Sequence, residues 1–252
     1  MEEGLNTGKS LESFFDRIYV INLPSRPDRL KSICHELSKL GIVDKEAILS
    51  VPEAPIFDKP GGFSSKGVRG NFFSHLGIIE DAYQNRFDRI LVLEDDAIFR
   101  SHLHNKTYQE FILSHVESHD WSMWFPGHLL ASQPKGVSKP VYNSTAAFNG
   151  AHCYAVHRRG IASLRDYLRI VSERSAGHPE GGKMYIDGAL THFRRQFTDH
   201  ICLISNPVLS IQKSSDTNLG NTQNSFYDGT VPWVKSFLRD VKDQFWRLTG
   251  HV

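Results

Sequence analysis

The stretch Arg89-Ile-Leu-Val-Leu-Glu-Asp-Asp-Ala-Ile-Phe99 is an apolar run that ends abruptly in three consecutive carboxylates. Its apolar residues 90–93, two of them β-branched, are typical of a strand that is buried on both faces beneath helices. Ligands of open α/β sheets bind in the crevice beyond the carboxyl ends of the strands. Three acids are therefore expected where such a sheet binds its ligand: Glu94, Asp95 and Asp96.

Three adjacent carboxylates raise one another's pKa unless a cation compensates their charge. A hard divalent ion with oxygen ligands is the natural partner, and such an ion in turn favours an anion such as a diphosphate. The alternative is that the acids only cap the next segment or solvate a turn, as most acidic runs do. From this stretch alone, both interpretations stay open.

The overall composition is that of an ordinary globular chain. Of the 252 residues, 40% are hydrophobic and 23% are charged, which argues against intrinsic disorder and allows one large α/β domain or two small ones. Lys plus Arg number 29 against 28 Asp plus Glu, so the charge balance predicts no nucleic-acid partner. The three cysteines are widely spaced, which indicates reduced thiols in place of a disulfide framework or a CxxC metal site.

Residues 1–10 carry acids where a signal peptide needs basic residues, and no apolar region follows them. No run approaches the roughly 18 apolar residues of a membrane span. We therefore expect a cytoplasmic protein. The sequence does not predict its oligomeric state.

Strand and helix patterns alternate along the chain. Residues 17–23 read as a strand, and Pro27 can begin a helix that ends at Gly41. Residues 46–51 are predicted as a second strand, and residues 52–70, rich in Pro and Gly, as a long loop. This order is typical of an α/β sheet flanked by helices.

Two arginines, Arg26 and Arg29, follow the first predicted strand and lie beside a helix N-terminus. Such a position can hold a phosphate or a nucleotide base. The alternative is that both arginines are exposed and pair with Asp28 or Glu36. The residues alone favour this alternative.

Three other residues stand out in or beside predicted buried segments. His75 lies near the start of a predicted helix that opens at Gly70, where a structural role competes with a site role. Asp187 is an acid in a mostly apolar segment, and a buried carboxylate without a partner is costly. Gly150 precedes a predicted buried strand, a position that often marks the close approach of backbone or ligand.

The C-terminal segment carries an apolar stripe at helical spacing, accompanied by Lys, Arg and two tryptophans. It could lie on an anionic membrane surface, at the inner face, or pack on its own domain or a partner chain. We thus divide the chain into a polar lead (1–16), an α/β domain (17–215), a flexible linker (216–231) and an amphipathic helix (232–252).

Five segments taken together resemble glycosyltransferase family 25, which includes bacterial lipooligosaccharide β-galactosyltransferases and collagen galactosyltransferases. The resemblance covers residues 17–215 in the right order, and its most specific parts are the loop after the first strand and the Glu-Asp-Asp strand end. The segments are residues 19–30, 70–75, 91–96, 150–154 and 187–190.

The resemblance implies a GT-A-type, Rossmann-like α/β fold with a mostly parallel central sheet. It also implies inverting transfer of a sugar, galactose first, from a UDP-sugar donor to a glycan acceptor such as lipopolysaccharide or capsule oligosaccharide. Glu94-Asp95-Asp96 matches the family's DxD motif, which would bind Mn²⁺ or another divalent metal on the diphosphate. Asp96 would be the direct ligand, with Glu94 as a second metal residue.

Asp187 is the expected catalytic base that takes the proton from the acceptor hydroxyl, with Glu94 as the alternate. The residues expected on the substrate side are Asn22, Arg26, Arg29, Ser74, His75, Asp95, Gly150 and Gln212.

The sequence departs from the family pattern just ahead of the Ser74-His75 pair. Where the family has glycine, cysteine and small residues, this chain has Arg69-Gly-Asn-Phe-Phe73, a bulkier wall that bears on the identity of the sugar.

Two rival interpretations remain. A metal-dependent phosphohydrolase or phosphotransferase also places acids at strand ends, but Asn22-Leu-Pro24 stands where a HAD-type enzyme has its Asp nucleophile. A non-catalytic glycan- or nucleotide-binding domain is the other, and the intact acidic triplet argues against it.

Overall fold

A seven-stranded sheet forms the centre of the molecule in the computed structural model, which describes residues 9–43, 45–129, 139–146 and 148–213. In chain order the strands are β1 (Arg17–Ile21), β2 (Leu49–Ser50), β3 (Arg89–Glu94), β4 (Ala97–Phe99), β5 (Trp121–Phe125), β6 (Val141–Asn143), β7 (Cys153–His157), β8 (Ile201–Ser205) and β9 (Ser210–Gln212). The order of strands in the central sheet is β2-β1-β3-β7-β5-β8-β6, and β4 and β9 form a separate two-stranded sheet.

Most strands of the central sheet run in one direction. Strand β1 pairs in parallel with β2 and β3, and β5 pairs in parallel with β8. Strands β7 and β6 run antiparallel to their neighbours. The predicted fold class, α/β with a mostly parallel central sheet flanked by helices, is therefore confirmed.

Helices cover both faces of the sheet. One buried cluster includes Val92 of β3 and packs under α4 and α6, whereas the other includes Leu91 and Leu93 and packs under α2 and α5. This division follows from the alternation of side chains along a strand. The helices are α1 (Leu11–Phe14), α2 (Pro27–Lys39), α3 (Lys45–Ile48), α4 (Lys66–Gln84), α5 (Lys106–Glu117), α6 (Arg158–Glu173) and α7 (Ile186–Gln196), with a 3₁₀ turn at Ser101–His104.

Strand β3 extends one residue beyond the predicted run 90–93 at each end, and that run is buried as predicted. Its residues 90–93 are at most 3% exposed, and the acids follow where the strand ends. Helix α2 begins at Pro27, as predicted, because proline is tolerated at the first helical position.

Two segments differ from the predictions around residue 50. Residues 46–51 are not one strand, because residues 45–48 form the short helix α3 and only Leu49–Ser50 pair with β1. The predicted loop ends at Ser65, where the serine Oγ accepts a hydrogen bond from the Val68 N–H and caps α4. Gly70 is therefore inside the helix.

The predicted polar lead is wrong in its last residues. Leu11 and Phe14 of α1 and the following Phe15 are each at most 5% exposed and belong to the buried cluster under α2 and α5. The linker predicted over residues 216–231 and the helix predicted over residues 232–252 lie outside the described residues. None of the helices in the described part of the chain combines the length and apolar character needed to cross a bilayer.

Candidate active site

The register of the central sheet brings polar residues together at one edge. Ile21, the last residue of β1, lies opposite Glu94, the last residue of β3. Asn22 follows β1, and Asp95 and Asp96 form the turn that leads into β4. Since the two strands are parallel, both loops leave the sheet at its carboxyl edge, as the sequence predicts.

Asp95 is held by the loop after β1 and by helix α2. Its Oδ2 accepts a hydrogen bond from the Asn22 side-chain amide at 2.8 Å, and its Oδ1 accepts one from Arg29 Nη1 at 3.1 Å. The Arg29 and Asp95 side chains are only 16% and 11% exposed. Three of the predicted substrate-side residues thus form one network around Asp95.

Arg26 lies beside this network but points away from it. Its guanidinium donates to both carboxylate oxygens of Asp28, at 3.0 and 2.9 Å. Only its backbone carbonyl joins the network, by accepting a hydrogen bond from the Asn22 side chain at 3.0 Å. The pairing of Arg26 with Asp28 is the one that the alternative interpretation names, but Arg26 is half-buried and not exposed.

Glu94 is held by three side chains from distant parts of the chain. Its Oε1 accepts from the Asn71 amide at 3.0 Å, and its Oε2 accepts from the Gln212 amide at 3.2 Å. His75 Nε2 lies 3.5 Å from Oε1. Burial raises the pKa of Glu94, but His75 and Asn71 outweigh it and leave this pKa below its ordinary value. Glu94 is thus held as a carboxylate.

His75 is fully buried beneath Glu94. Its Nδ1 lies 2.9 Å from the hydroxyl of Tyr154, and the two rings stack with centroids 5.6 Å apart. The imidazole therefore connects the acidic turn to the core between β7 and α4.

Asp96 differs from both neighbouring acids. Its Oδ1 is buried and has no hydrogen-bond partner among the described residues. Burial, followed by the negative charges of Glu94 and Asp95, raises the pKa of Asp96 to about 6. The charge of Arg29 and a hydrogen bond from the Gln212 side chain oppose this shift without cancelling it.

Asp187 faces the acids from the first turn of α7. Its Oδ1 accepts from the Gly188 N–H at 2.8 Å, and its Oδ2 accepts from the Gly150 N–H at 3.4 Å. Burial raises the pKa of Asp187, the charge of Glu94 adds to this, and the two backbone donors oppose it without cancelling it. Gly150 has φ of +96°, a conformation that favours glycine.

Ser74 is not brought to the acids. Its hydroxyl donates to the Gly70 carbonyl at 3.0 Å. Instead it lines a separate pocket of about 230 Å³ beside the end of β1, together with Ile21, Pro52, Glu53, Pro55, Phe73, Gly77 and Ile78. Ser74 and His75 point in different directions because adjacent helical residues lie about 100° apart.

Asn71 is a site residue that the sequence reasoning missed. It lies four residues before His75 on α4, so both side chains reach Glu94 from one face of the helix. The signal available in the sequence was the four-residue spacing of Asn71 and His75, which places two polar side chains on one face of a helix. The sequence predicts residue 71 at the start of this helix and within the bulky wall, without a contact to the acids.

The acids can be tested for their fit to a divalent ion. Among residues 9–213 that the structure describes, no group of three or more His, Cys, Asp or Glu side chains is placed to hold a metal. Ions such as Mg²⁺ are, however, often held by one or two carboxylates together with substrate phosphates and water. Asp96, with its buried unpartnered oxygen, fits such a role, whereas Glu94 is already occupied by Asn71 and Gln212.

Comparisons with known proteins give one curated relative and several distant structures, and no protein-family model matches the chain. The relative is human "Inactive glycosyltransferase 25 family member 3", which is 30% identical over 131 residues. The match covers 45% of this chain and 22% of the relative, so the chain spans about a fifth of that protein's length.

Three solved structures share the general arrangement at low similarity, and each alignment covers 75% of this chain. A glycosyltransferase involved in glycosylation of the major capsid of PBCV-1 has a TM-score of 0.39, 11% identity and 92% coverage. A mannose-1-phosphate geranyltransferase from Thermus thermophilus has a TM-score of 0.43 and 13% identity, and 72% of its chain is covered. A glucose-1-phosphate thymidylyltransferase from Bacillus anthracis has a TM-score of 0.36 and 11% identity, and 67% of its chain is covered.

At these TM-scores, similarity to the three structures indicates nothing about the activity of this chain. The human relative is similar in sequence, and its name gives the same family that the motifs of this chain indicate. The resemblance of this chain to glycosyltransferase family 25 is therefore confirmed, over a stretch that covers 45% of its length.

Proposed function

We propose that this chain is a glycosyltransferase that moves a sugar, galactose being the first candidate, from a UDP-sugar to a hydroxyl of a glycan acceptor such as lipopolysaccharide or capsule oligosaccharide. The observation that carries the proposal is the acidic turn after β3, where Asp96 has a buried unpartnered oxygen and Asp187 faces the same turn. The two groups supply a place for the donor's diphosphate complex and a proton acceptor.

The end of β1 supports the donor side of the proposal. Arg29 lies against Asp95, and the pocket beside Ile21 is lined mainly by apolar residues, with Phe73 and Glu53 among its lining residues. A flat nucleobase suits such a pocket, since an apolar wall covers its face and a carboxylate accepts from a ring N–H. Ile21 is opposite Glu94, so pocket and acids are neighbours.

The environments of the carboxylates support Asp187 as the base. An inverting transfer needs a group that removes the proton of the acceptor hydroxyl as the new bond forms. A carboxylate with a raised pKa holds that proton better, and burial raises the pKa of Asp187. The pKa of Glu94 is lowered, which makes Glu94 the weaker candidate.

Asp96 is the residue that would hold a divalent metal such as Mn²⁺. When bound, the metal would neutralise the negative charge that develops on the departing UDP. Asn22 and Arg29 would keep Asp95 turned away from Asp96, and Asn71 with Gln212 would do the same for Glu94.

A donor screen tests the proposal. The full chain is incubated with a panel of UDP-sugars and Mn²⁺, and released UDP is measured with and without an oligosaccharide acceptor. We expect slow UDP release with one donor, strongly reduced in Asp187→Asn and in Asp96→Ala. Asp166→Asn is the matched control, because Asp166 is an exposed carboxylate on α6 that pairs with Arg165. Release of inorganic phosphate in place of UDP would overturn the proposal.

A second candidate is a non-catalytic domain that binds a nucleotide or a glycan. It is favoured by one observation, the word "inactive" in the name of the human relative. Calorimetric titration with UDP and Mn²⁺ separates the two candidates. Binding that is lost in Asp96→Ala, without turnover of any UDP-sugar, would favour the second.

A further inference from the structure

His152, the residue just before β7, contacts three parts of the candidate site. It is fully buried, and its ring Nε2 lies 3.1 Å from the carbonyl oxygen of Ser210, so Nε2 carries the proton in this bond. Its own carbonyl accepts a hydrogen bond from the Glu94 N–H at 3.0 Å. His152 thereby connects the end of β3 to the start of β9, the strand that carries Gln212.

The imidazole ring is also enclosed by two glycines. A Cβ added to Gly127 would collide with His152 Nε2, and one added to Gly150 would lie 3.1 Å from Nδ1. Only residues without a side chain can approach the ring this closely from both sides. Gly150 is the residue whose N–H donates to Asp187 Oδ2.

We propose that His152 is a positioning residue whose ring, held between Gly127 and Gly150, sets the position of Asp187 relative to Glu94 and Gln212. The consequence for sugar transfer rests on the function proposed above. The consequence for the geometry of the site does not.

The effect on the reaction follows from the chain of contacts. If the ring is removed, Gly150 can move into the vacated space, and Asp187 loses the geometry of one of its two backbone donors. Gln212 is displaced as well, because the bond that ties Ser210 to the ring is lost. On the proposed donor side, Asn22 in the loop after β1 and Arg29 in α2 are held by their hydrogen bonds to Asp95.

The competing interpretation is that His152 only fills the core, and the chain offers a matched control. His128 is 2% exposed, its Nε2 lies 2.9 Å from the Ser205 carbonyl, and its Nδ1 also lacks a partner among the described residues. No hydrogen bond in the described part of the chain joins His128 to Glu94, Gly150 or Asp187. His128→Leu therefore removes a buried histidine without removing a hydrogen bond to Glu94, Gly150 or Asp187.

Hydrogen exchange measured by mass spectrometry tests the geometric part on the full chain. In His152→Leu, amide exchange should rise in peptides that cover Glu94, Gly150 and residues 209–213, and helix α2 should be unchanged. In His152→Gln the rise should be small, since the glutamine amide can donate to the Ser210 carbonyl from the place of Nε2. In His128→Leu these three peptides should keep their protection. Unchanged exchange in His152→Leu would overturn the proposal.

Steady-state kinetics tests the part that concerns transfer. Misplacement of a reacting group by about 1 Å can cost about 10²-fold in rate, so we expect a kcat loss of that order in His152→Leu with an unchanged KM for the donor. His152→Gln should restore most of kcat, and His128→Leu should keep it. A rise in donor KM with kcat retained would contradict the positioning role. If the wild-type chain turns over no donor, the proposed function fails, and the exchange experiment still decides the role of His152.

Discussion

Three adjacent acids have three different environments at the end of β3. Glu94 is held by His75, Asn71 and Gln212, and its pKa is lowered. Asp95 has one oxygen bonded to Asn22 in the loop after β1 and the other to Arg29 in α2. Asp96 has a buried unpartnered oxygen and a pKa raised to about 6. Neighbours in sequence thus acquire separate chemistry, because each side chain leaves the turn in a different direction.

The raised pKa of Asp96 predicts an unusual pH dependence of stability. Its value of about 6, against an ordinary 3.8, means that the folded chain holds this proton more tightly than the unfolded chain. The resulting contribution is fully present below about pH 4 and is lost as the pH rises through about 6, at a cost on the order of 3 kcal/mol. Without metal, Asp96→Asn should therefore be more stable than the wild type at pH 8 and equally stable at pH 4, by urea unfolding in EDTA.

Manganese provides the control for this experiment. Added Mn²⁺ should raise the unfolding midpoint of the wild-type chain at pH 8 and should have little effect on Asp96→Asn. A variant that is less stable than the wild type at both pH values would show that the Asp96 carboxylate is structurally required and not electrostatically strained.

Asp187 predicts a pH dependence of activity. Because burial raises its pKa, the acid limb of the kcat profile should lie above the range of an ordinary aspartate, with activity rising as the carboxylate loses its proton. Asp187→Asn should lower kcat by about 10²- to 10⁴-fold and remove this limb. The profile is measured by UDP release at saturating donor. An acid limb that persists in Asp187→Asn would assign the base to another group.

Helix α7 anchors the segment before β7 through one of its faces. Asp187 accepts from Gly150, Thr191 Oγ1 donates to the Phe148 carbonyl at 3.1 Å, and Arg194 donates to the carbonyls of Ser144 and Ala146. Residues 187, 191 and 194 follow helical spacing, so they share one face. The helix that carries Asp187 therefore also sets the path of the chain that contacts it.

Arg194 is the buried part of this anchor, and its removal should be costly. Its guanidinium stacks 3.8 Å from the Phe148 ring centroid, and burial lowers its pKa to about 10, so it stays charged at neutral pH. Arg194→Ala leaves two carbonyls unsatisfied and opens a cavity, and we expect a loss of about 3 to 5 kcal/mol in the free energy of unfolding. Arg195→Ala, at an exposed neighbour on the same helix, should change it by less than about 0.5 kcal/mol in urea titrations. Equal losses would contradict the anchoring role.

Elements were predictable where a local pattern was unambiguous. Strand β3 and the start of α2 at Pro27 follow from a continuous apolar run and from a helix-starting proline. Residues 46–51 misled the prediction, because a run this short suits a strand as well as the single helical turn that the chain forms at residues 45–48.

The candidate site was predictable only in part. The sequence predicts the acids, Asn22 and Arg29 as site residues because they follow predicted strands. The contact of Asn71 with Glu94 and the enclosure of His152 by two glycines depend on how α4 and β7 pack, which no local pattern contains.

The central sheet protects two of the three thiols. Cys153 of β7 and Cys202 of β8 are at most 1% exposed, and burial raises the pKa of each to about 12. Cys34 on α2 is only half-buried. Because the thiolate is the reactive form, burial and a high pKa act in the same direction at the two sheet positions.

Thiol labelling should therefore report the unfolding of the whole sheet. With a chromogenic disulfide reagent at pH 8, we expect one thiol to react quickly and two to react only when the chain unfolds, at a rate that increases with urea. Cys34→Ser should lack the fast reaction and keep the slow ones. Two fast thiols in native buffer would mean that β7 or β8 opens without global unfolding.

The hydrogen bond between Gln212 and Glu94 joins residues 118 positions apart, and this separation determines when the site can form during synthesis. A ribosome delivers the chain from the amino end, so the acidic turn and β4 emerge long before β9. Until Ser210–Gln212 pairs with Ala97–Phe99, the nascent chain carries the acids without the strand that covers them. The site is thus completed only after β9 has been made, and a chain halted before residue 210 would lack the hydrogen bond from Gln212 to Glu94.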